Sequence, residues 1–494
     1  MATSTTARSA TTKSLILALA CAAQFMVVMD VAIVNVALPS IQRDLGVSES
    51  TLQWVVIAYG LLLGGFLLFG GRLADLLGRR RVLLTGLTIF SGASFLAGVS
   101  QSIGILIAAR GLQGFGAALV TPAALSILAV TFTEGQDRNR ALGIYGAVGG
   151  TSATVGVIAS GLLTDGPGWR WIFFINVPVG IVLIAVASLF LVVDRADRAA
   201  GRFDVAGATT VTGGLLLLVY GLNRGADYGW TSASTLALFG AAAVLLATFV
   251  RVEARSRHPL VPAAALRNRT LVAANLSAFF VFAAFFSFIF LGSLLMQQVL
   301  GYSATKTGVS WLATSVTAFL ASAFTGAQLV GRFGVRRLLI TGLSLLAVGV
   351  LWLARVPADA DYLTDLLPAL VLAGIAIGLC APSAQIGALA GVTETATGFA
   401  AGLVETMREI GGAAGVAAVS TVLVSQVGLT AFHAAFVVIC IAAGLGTIIA
   451  TIAFERRSRP MEAPDVGTGP GAGDGVLVPV PVPVERRPGP VPRR

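Results

Sequence analysis

The chain has 494 residues, of which 56% are hydrophobic and only 11% are charged. Soluble domains carry about a quarter charged residues, so this composition excludes an ordinary soluble protein and places most of the chain in lipid. The formal net charge of +10 would suit a nucleic-acid-binding protein if the arginines clustered on a soluble face. They are instead spread between apolar runs, which excludes nucleic acid as a partner.

Fourteen apolar runs come close to the length needed to cross a bilayer, about 20 residues. We expect spans near residues 14–38, 52–70, 82–99, 104–127, 140–163, 171–192, 205–222, 233–250, 271–295, 308–330, 338–354, 365–389, 398–425 and 430–454. The first run follows Arg8 and Lys13, as in a signal peptide, but it is too long for the apolar region of one. We therefore expect it to be an uncleaved first span.

The basic residues indicate an orientation, because Lys and Arg near spans are retained on the cytoplasmic side. With a cytoplasmic N-terminus, five of the 33 basic residues fall in outer segments, namely Arg43, Arg170, Arg224, Lys306 and Arg355. An even number of spans also places the C-terminus inside. The sequence predicts a multi-pass protein of the cytoplasmic membrane with both termini in the cytoplasm.

Ionisable residues within spans are few, and each costs about 2.5–3.5 kcal/mol at mid-helix on insertion scales. Asp30 in span one and Arg110 in span four lie outward of their span midpoints by about 6 Å and about 8 Å at the helical rise. An ion pair between them would reduce both costs, and Gln113 shares the helical face of Arg110. Two interpretations stay open: proton coupling or cation recognition, and a structural pair that never titrates.

Residues 71–81 form a compact charged hairpin between spans two and three. An exposed polar backbone cannot be satisfied in lipid, so the hairpin must lie in water. Gly71 and Gly78 would permit a tight reversal, and Asp75 can pair with the neighbouring Arg79 and Arg80.

Span five is rich in small residues, among them Gly146, Gly150, Gly156 and Gly161. Small residues at intervals of three and four let helices approach and slide. The pattern predicts either a packing surface that switches between conformations or a close-packed helix with no further role.

An internal repeat divides the chain, because residues 327–336 repeat the hairpin in weakened form with Gly334 matching Gly78. Likewise Pro122 in span four corresponds to Pro382 in span twelve. Such repeats are typical of secondary transporters.

The predicted organisation follows from these spans and this repeat. We expect a cytoplasmic N-terminal tail at 1–13, six helices at 14–192, a linker with two extra helices at 193–270, six more helices at 271–454 and a cytoplasmic tail at 455–494. The last segment is rich in Pro, Gly and Val and cannot build a core, so we expect it to be disordered.

In span thirteen, Glu405, Arg408 and Glu409 lie on one helical face, so Arg408 can partly neutralise both carboxylates. Two close carboxylates suit a group that loads and unloads a proton. A second proton or substrate site and a self-satisfied polar cluster near the cytoplasmic mouth fit this pattern equally well.

The sequence contains no P-loop, nucleophile elbow or zinc-ligand spacing. We therefore expect no enzymatic site, no metal and no bound cofactor, with the proton gradient as the energy source. Cys21, Cys380 and Cys440 fall inside apolar runs and are interpreted as packing residues.

Taken together, these features resemble the fourteen-spanner drug:proton antiporter family of the major facilitator superfamily, over residues 14–454. The segments that carry the resemblance are Asp30–Pro39, Gly71–Arg81, Arg110–Gly116 and Trp169–Gly180. The departures are Val157 and Ser160 in the antiporter motif of span five, and Glu405 where the family more often has an amide.

The resemblance implies two six-helix bundles around a central cavity that opens alternately to each side. It implies a cytoplasmic gate built from Gly71, Asp75, Gly78, Arg79 and Arg80. The expected function is proton-coupled export of small amphipathic drug-like or antibiotic compounds by a monomer in the bilayer. The alternatives are uptake of a small nutrient, and a non-transporting sensor or scaffold with the same fold.

Overall fold

The computed structural model of the chain describes residues 2–191, 204–256, 261, 267–425 and 428–454. Every regular element in these ranges is helical and none is a strand, which confirms the predicted all-α class for them. The first helix begins at Ala2, so the predicted N-terminal tail is largely helical. The predicted tail at 455–494 lies outside the described residues.

The long helices of these ranges are labelled in chain order. They are α1 (Ala2–Leu45), α2 (Trp54–Leu77), α3 (Arg79–Gly98), α4 (Ile103–Thr131), α5 (Gln136–Asp165), α6 (Asn176–Phe190), α7 (Val205–Tyr228), α8 (Ala233–Arg255), α9 (Arg269–Leu294), α10 (Leu312–Phe324), α11 (Val330–Leu353), α12 (Leu367–Leu389), α13 (Thr397–Ser425) and α14 (Leu429–Ala453). A short helix precedes α6 and another precedes α10, at Trp171–Phe174 and Ala304–Ser310. Segments of π-helix follow α9 and α10 and precede α12, at Leu295–Val299, Thr325–Leu329 and Tyr362–Leu366.

Twelve helical segments of the described chain are long and apolar enough to cross a membrane. The predicted number of fourteen is therefore not confirmed by length and composition. One of the twelve, Thr305–Leu353, runs through both α10 and α11. Helix α13 is not among them, and its polar residues Glu405, Arg408 and Glu409 lower its mean hydropathy.

The prediction that residues 71–81 form a loop is wrong. Helix α2 continues to Leu77 and α3 begins at Arg79, so Gly78 alone, with φ 93° and ψ 134°, breaks the helical path. Gly71 lies inside α2 and serves packing instead of reversal, because a Cβ there would come within 2.9 Å of the Gly402 Cα on α13. The single break suffices because glycine tolerates positive φ without a steric penalty.

The internal repeat is confirmed at the level of backbone geometry. Gly334, matched to Gly78 by sequence, has φ 78° and ψ 157° and breaks the helical path in the same way. Pro122 and Pro382 also both lie inside helices, α4 and α12. The two positive-φ glycines therefore occupy equivalent places in the repeat.

The packing of the helices follows the repeat as well. In the first half, α1–α6, helix α1 packs on α5, α2 on α4, and α3 on α4 and α6. In the second half, α9–α14, helix α9 packs on α13, α10 on α12, and α11 on α12 and α14. The two halves meet where α2 packs on α13 and α5 packs on α10.

Glycines bring the helices into close contact at both of these interfaces, which we call the α2–α13 seam and the α5–α10 seam. On the α5–α10 side, a Cβ on Gly143 would lie 2.6 Å from the Cα of Gly326. On the α2–α13 side, a Cβ on Gly402 would lie 2.8 Å from the Leu67 carbonyl oxygen. Such backbone contact is how helices associate where no hydrophobic force drives them together.

We expect Gly78→Ala and Gly334→Ala each to destabilise the protein by about 1–3 kcal/mol, since a side chain is strained at these dihedral angles. The measurement is thermal unfolding of the purified protein in detergent. Gly92→Ala in α3 is the matched control, because its Cβ meets nothing within 4 Å. Equal melting temperatures for all three variants would contradict the strain argument.

Candidate functional site

The ion pair predicted between spans one and four is present. Arg110 Nη1 of α4 donates to Asp30 Oδ2 of α1, and the two side chains are 1% and 0% exposed. The pair is thus fully enclosed by protein in this conformation. Enclosure without a partner would be prohibitive for either charge, whereas a paired and hydrogen-bonded charge is tolerated.

Further donors surround the Asp30 carboxylate. Gln113 Nε2 lies 3.1 Å and Asn176 Nδ2 lies 2.7 Å from Asp30 Oδ1. Ser94 Oγ accepts from the same two amides, at 2.5 Å from Gln113 and 3.3 Å from Asn176. Every contact to Asp30 comes from a donor, the arrangement that an ionised carboxylate requires.

The Arg110 guanidinium is fixed on its other sides too. Its Nε donates to the Val55 carbonyl oxygen at 3.1 Å, and its Nη1 also reaches Gln113 Oε1 at 3.0 Å. The Tyr59 ring lies 4.3 Å from the guanidinium carbon, a cation–π contact. Tyr59 is also within electrostatic range of Arg408 and Glu409 on α13.

Sequence reasoning identified three of the residues in this network, Asp30, Arg110 and Gln113. It missed the role of Asn176, which lay inside the Trp169–Gly180 segment and was treated only as part of a family signature. A buried amide at the start of an apolar run was the available signal, because such a group needs a partner. Proton coupling by Asp30 stays a prediction.

The predicted cluster on α13 forms as its helical spacing indicated. Arg408 Nη1 lies 2.6 Å from Glu405 Oε2, and its Nη2 lies 2.9 Å from Glu409 Oε1. The side chain of Glu405 is 1% exposed, whereas those of Arg408 and Glu409 are 13% and 22% exposed. The cluster therefore reaches from the core toward open space.

Other polar groups lie near the α13 cluster. Gln385 Nε2 of α12 is 3.3 Å from Glu405 Oε1. In the first half, the Tyr145 hydroxyl donates to Gln24 Oε1 at 2.8 Å, and Tyr145 is within electrostatic range of Glu405. The interior is thus lined with polar side chains from both halves.

The predicted gate residue Asp75 binds the first turn of α13. Its two carboxylate oxygens accept from the backbone amides of Gly398 and Phe399, each at 2.8 Å. These amides have no partner within the helix, and a carboxylate also complements the positive end of the helix dipole. Asp75 therefore ties the first half to the second at the predicted cytoplasmic end.

Arg79 adds contacts across the same boundary. It lies 3.9 Å from Asp75, and it donates to Ser126 Oγ at 2.8 Å, to Thr397 Oγ1 at 3.1 Å and to the Glu394 carbonyl oxygen. The hydroxyls of Ser126 and Thr397 are themselves 2.8 Å apart. We call the contacts of Asp75, Arg79 and Ser126 with Glu394–Phe399 the latch.

Two other charged residues at this end, Arg80 and Glu134, make contacts outside the latch. The hydrogen bond that Arg80 makes within the described residues stays in the first half, because its Nη2 donates to the Ser188 carbonyl oxygen of α6 at 2.7 Å. Glu134, which sequence reasoning missed, accepts from the Gly391 amide at 3.1 Å and so also links the two halves.

The four glycines predicted for span five differ in their surroundings. A Cβ on Gly156 would lie 2.8 Å from the Met29 carbonyl oxygen of α1, whereas Gly146 and Gly150 have nearest neighbours at 3.1 Å and 3.6 Å on α10. Gly161 has nothing within 4 Å, so a packing role is wrong for it. Its face of α5 points away from other helices.

Ser160 and Val157, the departures from the antiporter motif, both make contacts. Ser160 Oγ donates to the Ile33 carbonyl oxygen at 2.5 Å, one turn from Asp30. A Cβ on Gly308 would lie 2.7 Å from the Val157 side chain. Within the described residues, no group of three or more His, Cys, Asp or Glu side chains could hold a metal ion.

We expect Asp30→Asn to destabilise the protein by about 3–5 kcal/mol, because it leaves the buried Arg110 charge unpaired. Asp44→Asn is the matched control: Asp44 pairs with Arg170 at 2.7 Å, but those side chains are 46% and 36% exposed. An exposed pair contributes about 0–1 kcal/mol. Unfolding titrations in sodium dodecyl sulfate measure both, and equal losses would contradict a special role for burial.

Comparison with known proteins relates this geometry to relatives. The chain is 39% identical over 359 residues to the puromycin resistance protein pur8 of Streptomyces alboniger, covering 72% of this chain and 71% of that one. It is 37% identical to the multidrug resistance protein Stp of Mycobacterium tuberculosis, covering 72% and 66% of the two chains. It is also 37% identical to the cephamycin export protein CmcT of Amycolatopsis lactamdurans, covering 74% and 75%.

A solved structure shows the same fold. The human organic anion transporter MFSD10 superposes with a TM-score of 0.67 at 15% identity, covering 89% of this chain and 99% of that one. The family model of the Major Facilitator Superfamily matches residues 20–326 and 274–487. With its repeated halves and the relatives above, the chain belongs to the major facilitator superfamily.

Proposed function

We propose that this protein is a proton-coupled secondary transporter that exports amphipathic drug-like or antibiotic compounds across the cytoplasmic membrane by alternating access. The observation that carries the proposal is the latch, which joins two repeated halves at one end through a few separable bonds. The substrate class rests on the relatives, which are named for puromycin resistance, multidrug resistance and cephamycin export. The protein works as a monomer, without a cofactor.

The proposal includes fourteen membrane crossings with both termini in the cytoplasm. The 49-residue segment Thr305–Leu353 is far longer than the roughly 20 residues that one crossing needs, and Gly334 divides it. Helix α13 is long enough to cross, at 29 residues, and its three ionisable side chains pair with one another. The distribution of basic residues then sets the orientation.

In this proposal, opening toward the cytoplasm requires the latch to break. Hydrogen bonds that involve a charged group contribute about 1.5–3 kcal/mol each. One proton moving inward releases about 2.3 kcal/mol per 100 mV of membrane potential. One proton at this potential therefore offsets about one such bond of the latch. The other bonds must be replaced by contacts formed in the open state.

Asp30 is the principal protonation site in this proposal, tuned by Arg110, with Glu405 secondary. All the contacts of Asp30 are donors. A protonated carboxyl group would have to release at least one of them, because its own O–H needs an acceptor. Proton uptake is thereby tied to a change in the packing of α1, α4 and α6.

The polar interior favours a transporter over a scaffold. A scaffold could fill its interior with apolar side chains, whereas the interior of this protein holds the polar side chains of Gln24, Tyr145, Gln385 and Arg408. Uptake of a nutrient is distinguished from export by the direction of movement in a vesicle assay.

Expression of the chain in a susceptible host is expected to raise resistance to puromycin or cephamycin, the compounds for which two relatives are named. Everted vesicles should accumulate that compound only while the lumen is kept more acidic than the medium, so that protons leave as the compound enters, and a protonophore should abolish accumulation. Asp30→Asn should lose gradient-driven accumulation because the site can no longer titrate. Full accumulation by this variant would remove Asp30 from the coupling role, and the folded fraction by size-exclusion chromatography is the control.

A disulfide across the latch should stop transport. Ser126 and Thr397 are replaced by Cys after Cys21, Cys380 and Cys440 are changed to Ala; the two hydroxyl oxygens are 2.8 Å apart, within reach of a disulfide. Oxidation should reduce accumulation to near zero and a reductant should restore it. Unchanged accumulation by the fully oxidised protein would contradict alternating access through this end.

A further inference from the structure

We infer that α7 is a built-in cover over the α2–α13 seam, and that it moves with α2 during transport. The inference rests on the proposed function, because the seam matters only if substrate passes between the halves. It gives a role to the first of the two extra helices. On the side of the α2–α13 seam, α7 separates the transport path from the bilayer.

Interlocking contacts join α7 to α2. Leu216 of α7 sits over Gly65 of α2, where a Cβ would lie 2.6 Å from Leu216 Cγ and 3.7 Å from its Cα. One residue earlier, a Cβ on Gly64 would lie 3.6 Å from Val219 Cγ2. Glycine at both positions creates a notch that the aliphatic side chains of α7 fill.

The same helix also contacts α13. One buried apolar cluster contains residues from all three helices, namely Leu68 of α2, Ala208, Val211, Leu215 and Val219 of α7, and Phe399 and Ile410 of α13. Farther along α7, the Trp54 and Tyr220 rings are 5.8 Å apart. Trp230, which follows the end of α7, donates its indole N–H to the Thr421 hydroxyl of α13. Contacts with α2 and α13 therefore run from Ala208 to Tyr220 of α7, and the loop after it adds one more.

Helix α8 makes a useful contrast. It packs along α7, but only 11% of its apolar 18-residue stretch is buried, compared with 44% of the corresponding stretch of α7. The outer helix thus faces lipid while the inner one faces the seam. Length alone does not explain this difference, because both helices are of similar size, with 24 and 23 residues.

The cover lies directly over the candidate site. Gly64 lies between Val219 and the α13 cluster, since a Cβ on Gly64 would lie 3.6 Å from Val219 Cγ2 and 3.9 Å from Glu409 Cβ. An amphipathic compound dissolved in the bilayer would have to pass α7 to reach Glu409 from this side. The cover therefore restricts entry of substrate to routes other than the α2–α13 seam.

The kind of contact indicates which half α7 follows. On α2 the side chains of Leu216 and Val219 enter a glycine notch, so α7 could slide along α2 only if these side chains left it. On α13 the contacts of α7 are those of apolar side chains against one another, and the one hydrogen bond nearby comes from Trp230 in the loop after α7. When the halves separate, we therefore expect α7 to stay with α2 and to move relative to α13.

A disulfide between α7 and α2 tests the movement. In the cysteine-free background, Gly65→Cys with Leu216→Cys should cross-link readily, and the oxidised protein should retain most of the transport rate of the reduced protein. The Ser126→Cys, Thr397→Cys pair is the matched control that should block transport. Failure to cross-link, or loss of transport on oxidation, would overturn the inference; a second pair, Gly64→Cys with Val219→Cys, guards against a folding defect.

The cover itself is tested with a bilayer-soluble reagent. Dicyclohexylcarbodiimide should label Glu409 several-fold faster in Leu216→Ala/Val219→Ala than in the parent protein, as read by peptide mass spectrometry. A water-soluble carbodiimide should label both proteins equally. Val244→Ala on α8 is the control, because Val244 is 65% exposed and covers no seam. No change in labelling by the bilayer-soluble reagent would overturn the inference. If instead the disulfide between Cys residues at positions 126 and 397 failed to stop transport, that result would count against the proposed function.

Discussion

A charge buried in hydrocarbon must find a partner, and this constraint decides which helices of the first half meet. Asp30 and Arg110 bring α1 and α4 together, and the groups that complete their hydrogen bonds come from α2, α3 and α6. Five helices thus share one buried polar centre. The second half does not use the same arrangement for its buried Glu405, because Arg408 on the same helix pairs with both Glu405 and Glu409 and partly neutralises them. The first half is therefore tied across helices, and the second keeps its charges on one helix.

Contacts between the halves are of a different kind. Along both seams, glycines let the backbones touch, as at Gly143 with Gly326 and at Gly71 with Gly402. On the α5–α10 side, hydrogen bonds also join the halves, from Ser322 Oγ to the Gly143 carbonyl oxygen at 3.0 Å and between the hydroxyls of Thr154 and Ser315. The charged side chains Asp75, Arg79 and Glu134 bind across the boundary at one end. The proposed alternating access requires that these contacts between the halves break while each half stays intact.

Much of this arrangement could be predicted from the sequence. Helical periodicity placed Glu405, Arg408 and Glu409 on one face, and equal depth in antiparallel spans indicated that Asp30 faces Arg110. Matching glycines revealed the repeat. The residues that were missed act through backbone groups or through partners far away in the sequence, as Asn176 does with Asp30. Gly161 shows the opposite error, because small residues at helical spacing predict a packing face but do not say which face meets a neighbour.

Asp75 grips the main chain of α13, not its side chains. The two hydrogen bonds do not depend on the side chains of residues 398 and 399, but the packing there does. A Cβ on Gly398 would lie 2.3 Å from the Gly71 carbonyl oxygen, and the Phe399 side chain is fully buried. Proline, which lacks the amide hydrogen, is the one residue that would remove the hydrogen bond between position 399 and Asp75. Both helices should consequently tolerate few substitutions at this end, α2 because Asp75 supplies the hydrogen-bond acceptors and α13 because residues 398 and 399 are tightly packed.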